Sequence, residues 1–511
     1  MIQPDYWARY LVALRNTIAN DLRPHLDSDL AKDQADHAVL VLNRMITDVE
    51  IGPELARLQI PRWVQLHHEL ARITASGTVV AAHPAPPDAS ASLSELDEEL
   101  TRLQQFIARR ADTGLLHELA EADSKAADWF ARSATAALNL LESYESRLSA
   151  APAAALQAAS VNPQQICADL SAYLRRRFPR LPPDPIDSFR VVPGGRAKRT
   201  AIFALKQNAV LPQRLVLRSD AIAGQTGTTV ADEFALLTNL QQAGLPVPQP
   251  HLVERDVSVL GGTFMIVDEI ENALVAGEPF AEERRLRPDK SHMGPDFGRQ
   301  LAQFLALLHS VPSTAVVRGA HSPSVDRHEE VRLMYQQWQS IERPPRSIGL
   351  EFGFLWLLSH ALPADRPRCL VHGDFGCHNI LTRNGDLVAV LDWELAHEDD
   401  PAADFGDSKR MLLDELLPWQ EFVKHYVAAG GDPRACDPDA VRYFSMWRFV
   451  KHGAMTALLR HLFLSGARDD ILAAGASWHF FHRLQQYCAR ELADALEHRG
   501  SLRSETQARF R

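Results

Sequence analysis

The sequence predicts an α+β fold in which a mixed lobe of strands precedes a mostly helical half. Strand-like apolar runs first appear at 201–205, 215–218 and 263–267. A helical stretch over 230–242 separates the second run from the third. It ends at Gly244, and Pro-Val-Pro follows at 246–248, a combination that stops a helix. Downstream, apolar residues recur mostly at helical spacing.

The first 150 residues predict an all-α helical bundle ahead of this mixed lobe. Trp7, Leu11, Leu14 and Ile18 are spaced by three or four and form one apolar stripe, as later segments of this region also do. Residues 151–163 are rich in Ala and Pro and predict a linker. The predicted domains are therefore the bundle at 1–150, the linker at 151–163, a strand-bearing lobe at 164–270 and a helical lobe at 271–500.

Composition limits the classes of partner and compartment. The 511 residues carry 54 basic and 65 acidic side chains, a net charge of −11, which disfavours nucleic acid or an anionic membrane as partner. The five cysteines form no C-x-x-C pair, so a disulfide framework is not expected and a cytoplasmic location is predicted. We see no secretory signal and no apolar run of the ~20 residues that cross a bilayer.

One loop and the hairpin after it hold the most informative residues. Asp374 follows His-Gly after a short apolar run, and Asn379 lies five residues later. Asn384-Gly385 between two apolar runs predicts a β-hairpin. Because the two ends of a hairpin meet, Asn379 at its entrance and Asp392 at its exit are expected to converge.

These residue types suit the transfer of a phosphoryl group. An amide oxygen and a carboxylate are hard ligands for Mg²⁺ that also binds substrate phosphates. Asp374 would lie nearby and could accept a proton from a hydroxyl. Phosphoryl transfer needs a positioned nucleophile and neutralised phosphate oxygens, and it needs no covalent enzyme intermediate.

The pattern His-Gly-Asp-x-x-x-x-Asn followed by Asp-Trp-Glu resembles the aminoglycoside phosphotransferase-like family of small-molecule kinases. The resemblance extends from about residue 164 to about 497. It is closest to the branch that occurs as the kinase-like domain of some acyl-CoA dehydrogenases. The resemblance implies a protein-kinase-like bilobal fold, with a mixed β N-lobe and a mostly helical C-lobe. It also implies ATP or GTP and Mg²⁺ as cofactors.

The resemblance also implies roles for the residues around the loop. It makes Asp374 the catalytic base and makes Asn379 and Asp392 the magnesium ligands. Three further residues would support them: His372 through backbone hydrogen bonds, Asp404 from behind the loop, and Glu394 as a weaker metal ligand or a structural acid.

On the nucleotide side, the resemblance implies a glycine-bearing turn, a cation and an interlobe hinge. Arg218 is at the position where kinases keep a lysine over the phosphates, and an arginine is not equivalent to a lysine. The residues concerned are Gly194 and Gly195 in the turn, Arg218 with its partner Glu233, and Asp268 and Ile270 in the hinge over 265–270.

The leading function is therefore an ATP-dependent kinase for a hydroxyl of a small molecule. A hydroxyacyl thioester or another hydroxylated metabolite is favoured as acceptor over an aminoglycoside-type antibiotic. Choline-type and fructosamine-type kinases share His-Gly-Asp, so the acceptor stays open. The alternative is a nucleotide-binding pseudokinase or scaffold that acts through the helical N-terminal domain, which could also form a homo-oligomer.

Overall fold

The computed structural model describes residues 163–192, 198–220, 228–277, 293, 296–312, 327–341, 348–464 and parts of 481–495, with isolated positions between 11 and 132. The chain divides into two compact units. One contains residues 155–325 and 364–444, and the other contains residues 1–154, 326–363 and 445–511. The domain limits predicted from the sequence stay a prediction.

A five-stranded antiparallel sheet forms the first part of the unit that contains residues 155–325 and 364–444, in the order β1-β2-β3-β5-β4. Its strands are β1 (Ile186–Val192), β2 (Lys198–Leu205), β3 (Arg214–Asp220), β4 (Pro250–Glu254) and β5 (Phe264–Asp268). Helix α1 (Pro163–Arg177) precedes the sheet and α2 (Val230–Gln242) follows β3. Leu174, Phe203, Leu215 and Phe264 are buried together in its core.

The hairpin predicted at Asn384-Gly385 is confirmed. Strands β8 (Ile380–Arg383) and β9 (Asp386–Val390) pair with Arg383 opposite Asp386. Both turn residues have positive φ, 53° at Asn384 and 89° at Gly385, as a two-residue type I′ turn requires. The short strand β6 (Leu274–Val275) pairs with β8, and β7 (Cys369–Val371) pairs with β10 (His397–Asp399).

Helices dominate the rest of the described chain. The longer ones are α3 (Phe297–Ser310), α4 (Arg327–Gln339), α5 (Ile348–Ser359), α6 (Ala402–Ser408), α7 (Trp419–Ala428) and α8 (Pro438–Leu464). A π-helical segment, Lys409–Leu413, continues α6. The predicted mixed β lobe and helical C-terminal region are thus confirmed. No helix in the described ranges is both long and apolar enough to span a membrane.

Within the second unit, α5 packs closely against the later part of α8. Gly353 and Gly453 allow this approach, because a Cβ at Gly353 would lie 2.5 Å from Val450 and one at Gly453 would lie 2.3 Å from Leu350. Trp129 contacts Phe352 edge to face, with ring centroids 5.6 Å apart. Most of residues 1–150 lie outside the described residues, so the all-α bundle stays a prediction.

Candidate functional site

The loop that carries Asp374 leaves the end of β7. Val371 is paired with His397 of β10, which fixes the direction of the chain at this point. Gly373 then adopts a φ of +79°, and a Cβ there would lie 2.4 Å from the carbonyl oxygen of Leu395. Only glycine tolerates both the left-handed backbone and this approach. The glycine of His-Gly-Asp therefore lets the chain turn directly under Asp374.

Asp404 holds the backbone of this loop from the interior. Its carboxylate accepts the N–H of His372 at 2.9 Å and the N–H of Gly373 at 3.0 Å. His309 Nε2 lies 3.2 Å from the same carboxylate, and His309 Nδ1 lies 2.8 Å from the Tyr426 hydroxyl. Burial alone would raise the pKa of Asp404, but the hydrogen bond from His309 and nearby histidines lower it overall. The ionised carboxylate thus fixes two consecutive amides.

An Asp404→Ala variant is expected to lose about 3 kcal/mol of unfolding free energy, because two buried N–H groups lose their acceptor. Urea unfolding of the full chain measures this loss. Asp439→Ala is the matched control, since its side chain is 87% exposed. The lowered pKa means that the stabilisation is complete above the unfolded pKa of about 3.9 and is lost as the pH falls through the folded-state value. Equal midpoints for the two variants would contradict this role.

His372 is fully buried and joins the loop to the end of β9. Its Nε2 donates to the carbonyl of Leu391 at 2.9 Å, and its Nδ1 accepts the N–H of Asp374 at 3.2 Å. Both ring nitrogens are therefore used, one as donor and one as acceptor. Every polar atom of the ring serves the backbone, and none is directed at a reacting group.

Asp374 and Asn379 are joined by a short 3₁₀ turn, Cys377–Asn379. The Asn379 amide nitrogen donates to the Asp374 carbonyl at 2.9 Å and to Asp374 Oδ2 at 3.2 Å. His378 Nε2 lies 3.1 Å from the same Oδ2. Because the amide nitrogen of Asn379 faces Asp374, its Oδ1 is directed away, and no described residue donates to it. That oxygen can serve as a ligand.

The two ends of the hairpin meet, as the sequence predicts. Ile380 is opposite Val390, and the N–H of Leu391 donates to the Asn379 carbonyl at 2.8 Å. Asp392 follows at once, in a left-handed conformation with φ 63° and ψ 66°. Aspartate adopts this region more readily than most residues, but it still costs about 1 kcal/mol, a strain that recurs at functional sites. Asp392 is thereby turned out of the strand direction.

Arg218, which lies within β3 opposite Thr200 of β2 and Met265 of β5, connects the sheet to this hairpin. Its Nη2 donates to Asp392 Oδ1 at 2.5 Å and lies 3.6 Å from Glu394 Oε2. Its Nε is 3.4 Å from Glu233 Oε2 in α2, without hydrogen-bond geometry. Burial opposes its charge, yet Glu233, Asp392 and Glu394 together raise the pKa of Arg218. Arg218 is therefore a fixed cation among three carboxylates.

The carboxylates around Arg218 differ in how readily they hold a negative charge. Burial raises the pKa of Glu394 to about 7, Asp392 adds to this rise, and Arg218 opposes it. The Asp392 side chain is 37% exposed, so one carboxylate of the group faces solvent. The described residues include no group of three or more His, Cys, Asp or Glu arranged to hold a metal. A carboxylate such as Asp392 and an amide oxygen such as that of Asn379 are ligand types that Mg²⁺ accepts beside phosphates, so these two residues could hold a metal.

The hinge residues follow the end of β5. The N–H of Asp268 donates to the Gln249 carbonyl at 3.0 Å, and the Asp268 carboxylate lies 2.6 Å from His251 Nε2. The Asp268 N–H is thus already used by the protein. The Ile270 N–H makes no backbone hydrogen bond with the described residues. Gly194 and Gly195, predicted over the phosphates, lie outside the described residues.

Two histidines near the site were not predicted from the sequence. His378 contacts the Asp374 carboxylate, and His309 contacts Asp404. The i, i+4 spacing of Asp374 and His378 was the one sequence signal for the first contact. Nothing in the sequence indicated the second, because His309 and Asp404 are 95 residues apart.

Comparison with known proteins agrees with the motif. A model of the phosphotransferase enzyme family matches residues 188–443. Acyl-CoA dehydrogenase family member 11 of Gallus gallus is 26% identical over 243 residues, which cover 46% of this chain and 30% of that protein. Hygromycin-B 4-O-kinase of Escherichia coli is 30% identical over 107 residues, which cover 19% of this chain and 29% of that protein.

Solved structures are more distant. The GDP complex of wild-type aminoglycoside 2'-phosphotransferase-IIIa aligns with a TM-score of 0.45 and 15% identity, covering 64% of this chain and 99% of that one. The chain spans less than a third of either curated relative. The family match and the acyl-CoA dehydrogenase relative confirm the resemblance inferred from the motif, including its branch.

Proposed function

Since this chain belongs to the phosphotransferase enzyme family, we propose that it moves the γ-phosphoryl group of ATP or GTP to a hydroxyl of a small molecule. One observation carries the proposal. Asp374 and Asn379 share one hydrogen-bonded turn, and the Asn379 carbonyl accepts a hydrogen bond from the N–H of Leu391, the residue before Asp392. One short stretch of chain would thus supply a base and two oxygen ligands, which supports direct phosphoryl transfer.

Asp374 acts as the base in this proposal. Its carboxylate accepts the proton of the acceptor hydroxyl while the oxygen of that hydroxyl bonds to the γ-phosphorus. The bond from the γ-phosphorus to the bridging oxygen breaks, and the nucleoside diphosphate leaves with that electron pair. The proton on Asp374 then passes to solvent. His372 and Asp404 act only by holding the loop backbone in place.

Asn379 and Asp392 would hold Mg²⁺ through the amide oxygen and the carboxylate. When bound, Mg²⁺ neutralises charge on the phosphate oxygens. One carboxylate oxygen of Asp392 already accepts a hydrogen bond from Arg218. A metal must therefore bind the second oxygen of Asp392, or Arg218 must move away. Glu394 is close enough to Arg218 to retain that cation when Asp392 binds metal.

Arg218 and Glu233 form the proposed cation site for the nucleotide phosphates. Arg218 offers five N–H donors in a planar fork, and Glu233, which is 2% exposed, holds it from the helix side. The backbone of the hinge around Asp268 and Ile270 would contact the purine base of the nucleotide. The turn with Gly194 and Gly195 would cover the phosphates.

For the acceptor, we favour a hydroxyacyl thioester or another hydroxylated metabolite over an aminoglycoside. The acyl-CoA dehydrogenase relative supports this choice, and the hygromycin kinase is the reason to retain the antibiotic in any test. A cytoplasmic location, the absence of nucleic-acid and membrane partners, and assembly through the helical N-terminal region are part of the same proposal.

A screen for nucleoside diphosphate release tests the function. The full chain would be incubated with Mg²⁺, ATP or GTP, and hydroxyacyl-CoA esters, sugars, choline and hygromycin B in separate reactions. We expect release above the water-only rate with one acceptor class, and a phosphorylated product in ³¹P NMR. Release in no reaction, despite nucleotide binding, would contradict the proposal.

A second candidate is a nucleotide-binding scaffold without turnover. The contact of Arg218 with Asp392 favours it, because a guanidinium occupies part of the carboxylate that a metal would need. Against it, the chain retains Asp374, Asn379 and Asp392 together. Binding of Mg-nucleotide without turnover of any acceptor would favour this candidate.

An Arg218→Lys variant separates the two candidates. If the chain is a kinase, lysine keeps the charge but lacks the planar fork of N–H donors that arginine offers to phosphate oxygens, and we expect kcat/KM for the nucleotide to fall about tenfold. If Arg218 blocks the metal site of a scaffold, turnover should appear only in the variant. Steady-state kinetics and the Mg-ADP affinity of both proteins distinguish these outcomes. Arg434→Lys is the control, because the Arg434 side chain is 58% exposed and pairs with Asp432 rather than with a residue of the site.

A further inference from the structure

His378 lies against the carboxylate of Asp374, a contact that the proposed function does not use. The His378 Nε2 to Asp374 Oδ2 distance is 3.1 Å, and the two side chains are 17% and 20% exposed. An ionised carboxylate can only accept, so Nε2 must carry the proton. The His378 ring therefore donates a hydrogen bond to the group proposed as the base.

The loop leaves space for this ring at Gly376. A Cβ at that position would lie 2.6 Å from His378 Cε1 and 2.7 Å from Nδ1, closer than real contacts allow. His378 Nδ1 is buried and makes no hydrogen bond with the described residues. Among the described residues, the ring of His378 thus has its polar contact with Asp374 alone. This is expected if that contact fixes the position of the ring.

Two donors converge on the same oxygen of Asp374. Asn379 Nδ2 reaches Oδ2 at 3.2 Å from the other end of the turn. Two fixed donors restrict rotation of the carboxylate plane, and a base works only when it is aligned with the proton it accepts. We infer that His378 is a positioning residue that fixes the Asp374 carboxylate for proton transfer. This inference rests on the proposed function, and His378 itself neither gains nor loses a proton in it.

Three variants separate positioning from mere filling of space. His378→Phe keeps a planar ring but removes the donor. His378→Gln keeps an amide N–H that can reach Oδ2. His425→Phe replaces a histidine of α7 that has no role in the site and serves as control. We expect His378→Phe to lower kcat about 10- to 100-fold, the size of one lost hydrogen bond to a charged group, with unchanged KM for nucleotide. His378→Gln should recover most of the rate.

Kinetics of nucleoside diphosphate release, with the best acceptor or with water alone, gives kcat and KM for the full chain. Calorimetry with Mg-ADP checks that the nucleotide site is intact. A double-mutant cycle with Asp374→Asn adds a stricter criterion: the His378→Phe defect should nearly vanish when Asp374 is already replaced. A full, additive defect would overturn the inference, as would wild-type kcat in His378→Phe or a glutamine variant as slow as the phenylalanine one.

A readout without nucleotide separates this inference from the proposed function. Long-range ¹H–¹⁵N spectra of the histidine rings in the apo protein should show His378 protonated at Nε2, and Asp374→Ala should change its ring shifts. A proton at Nδ1 alone would overturn the inference even in an active enzyme. A wild-type chain with the expected ring signals but no turnover would instead overturn the proposed function. The contact between His378 and Asp374 would then have no catalytic role.

Discussion

Replacing Asp374 by asparagine is expected to lower kcat by about 10²- to 10⁴-fold, the usual contribution of a general base. Asparagine has nearly the same shape, and its Oδ1 can still accept the bonds from His378 and Asn379. The loop should therefore keep its conformation, and the affinity for Mg-nucleotide should change little. Single-turnover kinetics and calorimetry of the same preparation measure the two quantities.

Asp439→Asn is the control for this experiment, since it makes the same chemical change at an exposed position in α8. It should match the wild-type chain in both measurements. A variant at Asp374 that loses nucleotide affinity as strongly as rate would place this carboxylate on the metal rather than on the acceptor hydroxyl. Unchanged kcat would remove it from the reaction.

Replacing Asp392 by alanine is expected to weaken nucleotide binding, which the Asp374→Asn change should leave nearly intact. Removing a direct metal ligand should weaken Mg-dependent nucleotide binding by at least about 100-fold, more than the 10- to 100-fold that follows from loss of a supporting contact. Arg218 would lose its closest partner but keep Glu233 and Glu394. Calorimetry with ADP, in Mg²⁺ and in EDTA, isolates the part of the affinity that depends on the metal.

Glu398→Ala is the matched control, because it removes an acid a few residues later, from an exposed pair with Arg368. It should leave the Mg²⁺ dependence intact. If Asp374→Asn and Asp392→Ala gave equal and small effects on both rate and binding, the division of roles between base and metal ligand would be wrong.

The local elements near the site were predictable because their signals are local. Helix α2 spans Val230–Gln242, as predicted, since Thr229 forms a capping box with Asp232 and Gly244 follows the last turn with a φ of +83°. The hairpin followed from Asn384-Gly385, a pair that favours the positive φ angles of a type I′ turn. The meeting of Asn379 with the exit of the hairpin then follows from strand pairing alone.

Strands β1 and β4 were missed for a different reason. The burial of β1 is irregular along Ile186–Val192, with a shift in register after Ile186, so it lacks the alternation of a half-buried strand. Strand β4 begins at Pro250, a residue that disfavours strand assignment. Both are edge strands of the sheet, where packing against one neighbour determines the structure.

The charges around the site could be predicted only in part. The sequence indicated Glu233 as the partner of Arg218, yet the shorter contact is with Asp392, 174 residues away. That contact depends on how β3 packs near the end of β9, which no local pattern encodes. The same holds for His309, which reaches Asp404 only because α3 packs beneath the loop. Long-range packing, rather than propensity, determines these electrostatic partners.

A crystal structure of the full chain with Mg²⁺ and a non-hydrolysable ATP analogue tests the central claim most directly. We predict a metal about 2.0–2.1 Å from Asn379 Oδ1 and an Asp392 oxygen, bound to the analogue's phosphates, with the Asp374 carboxylate facing the γ-phosphate. An analogue bound elsewhere, or one bound without metal while Arg218 still covers Asp392, would contradict the account.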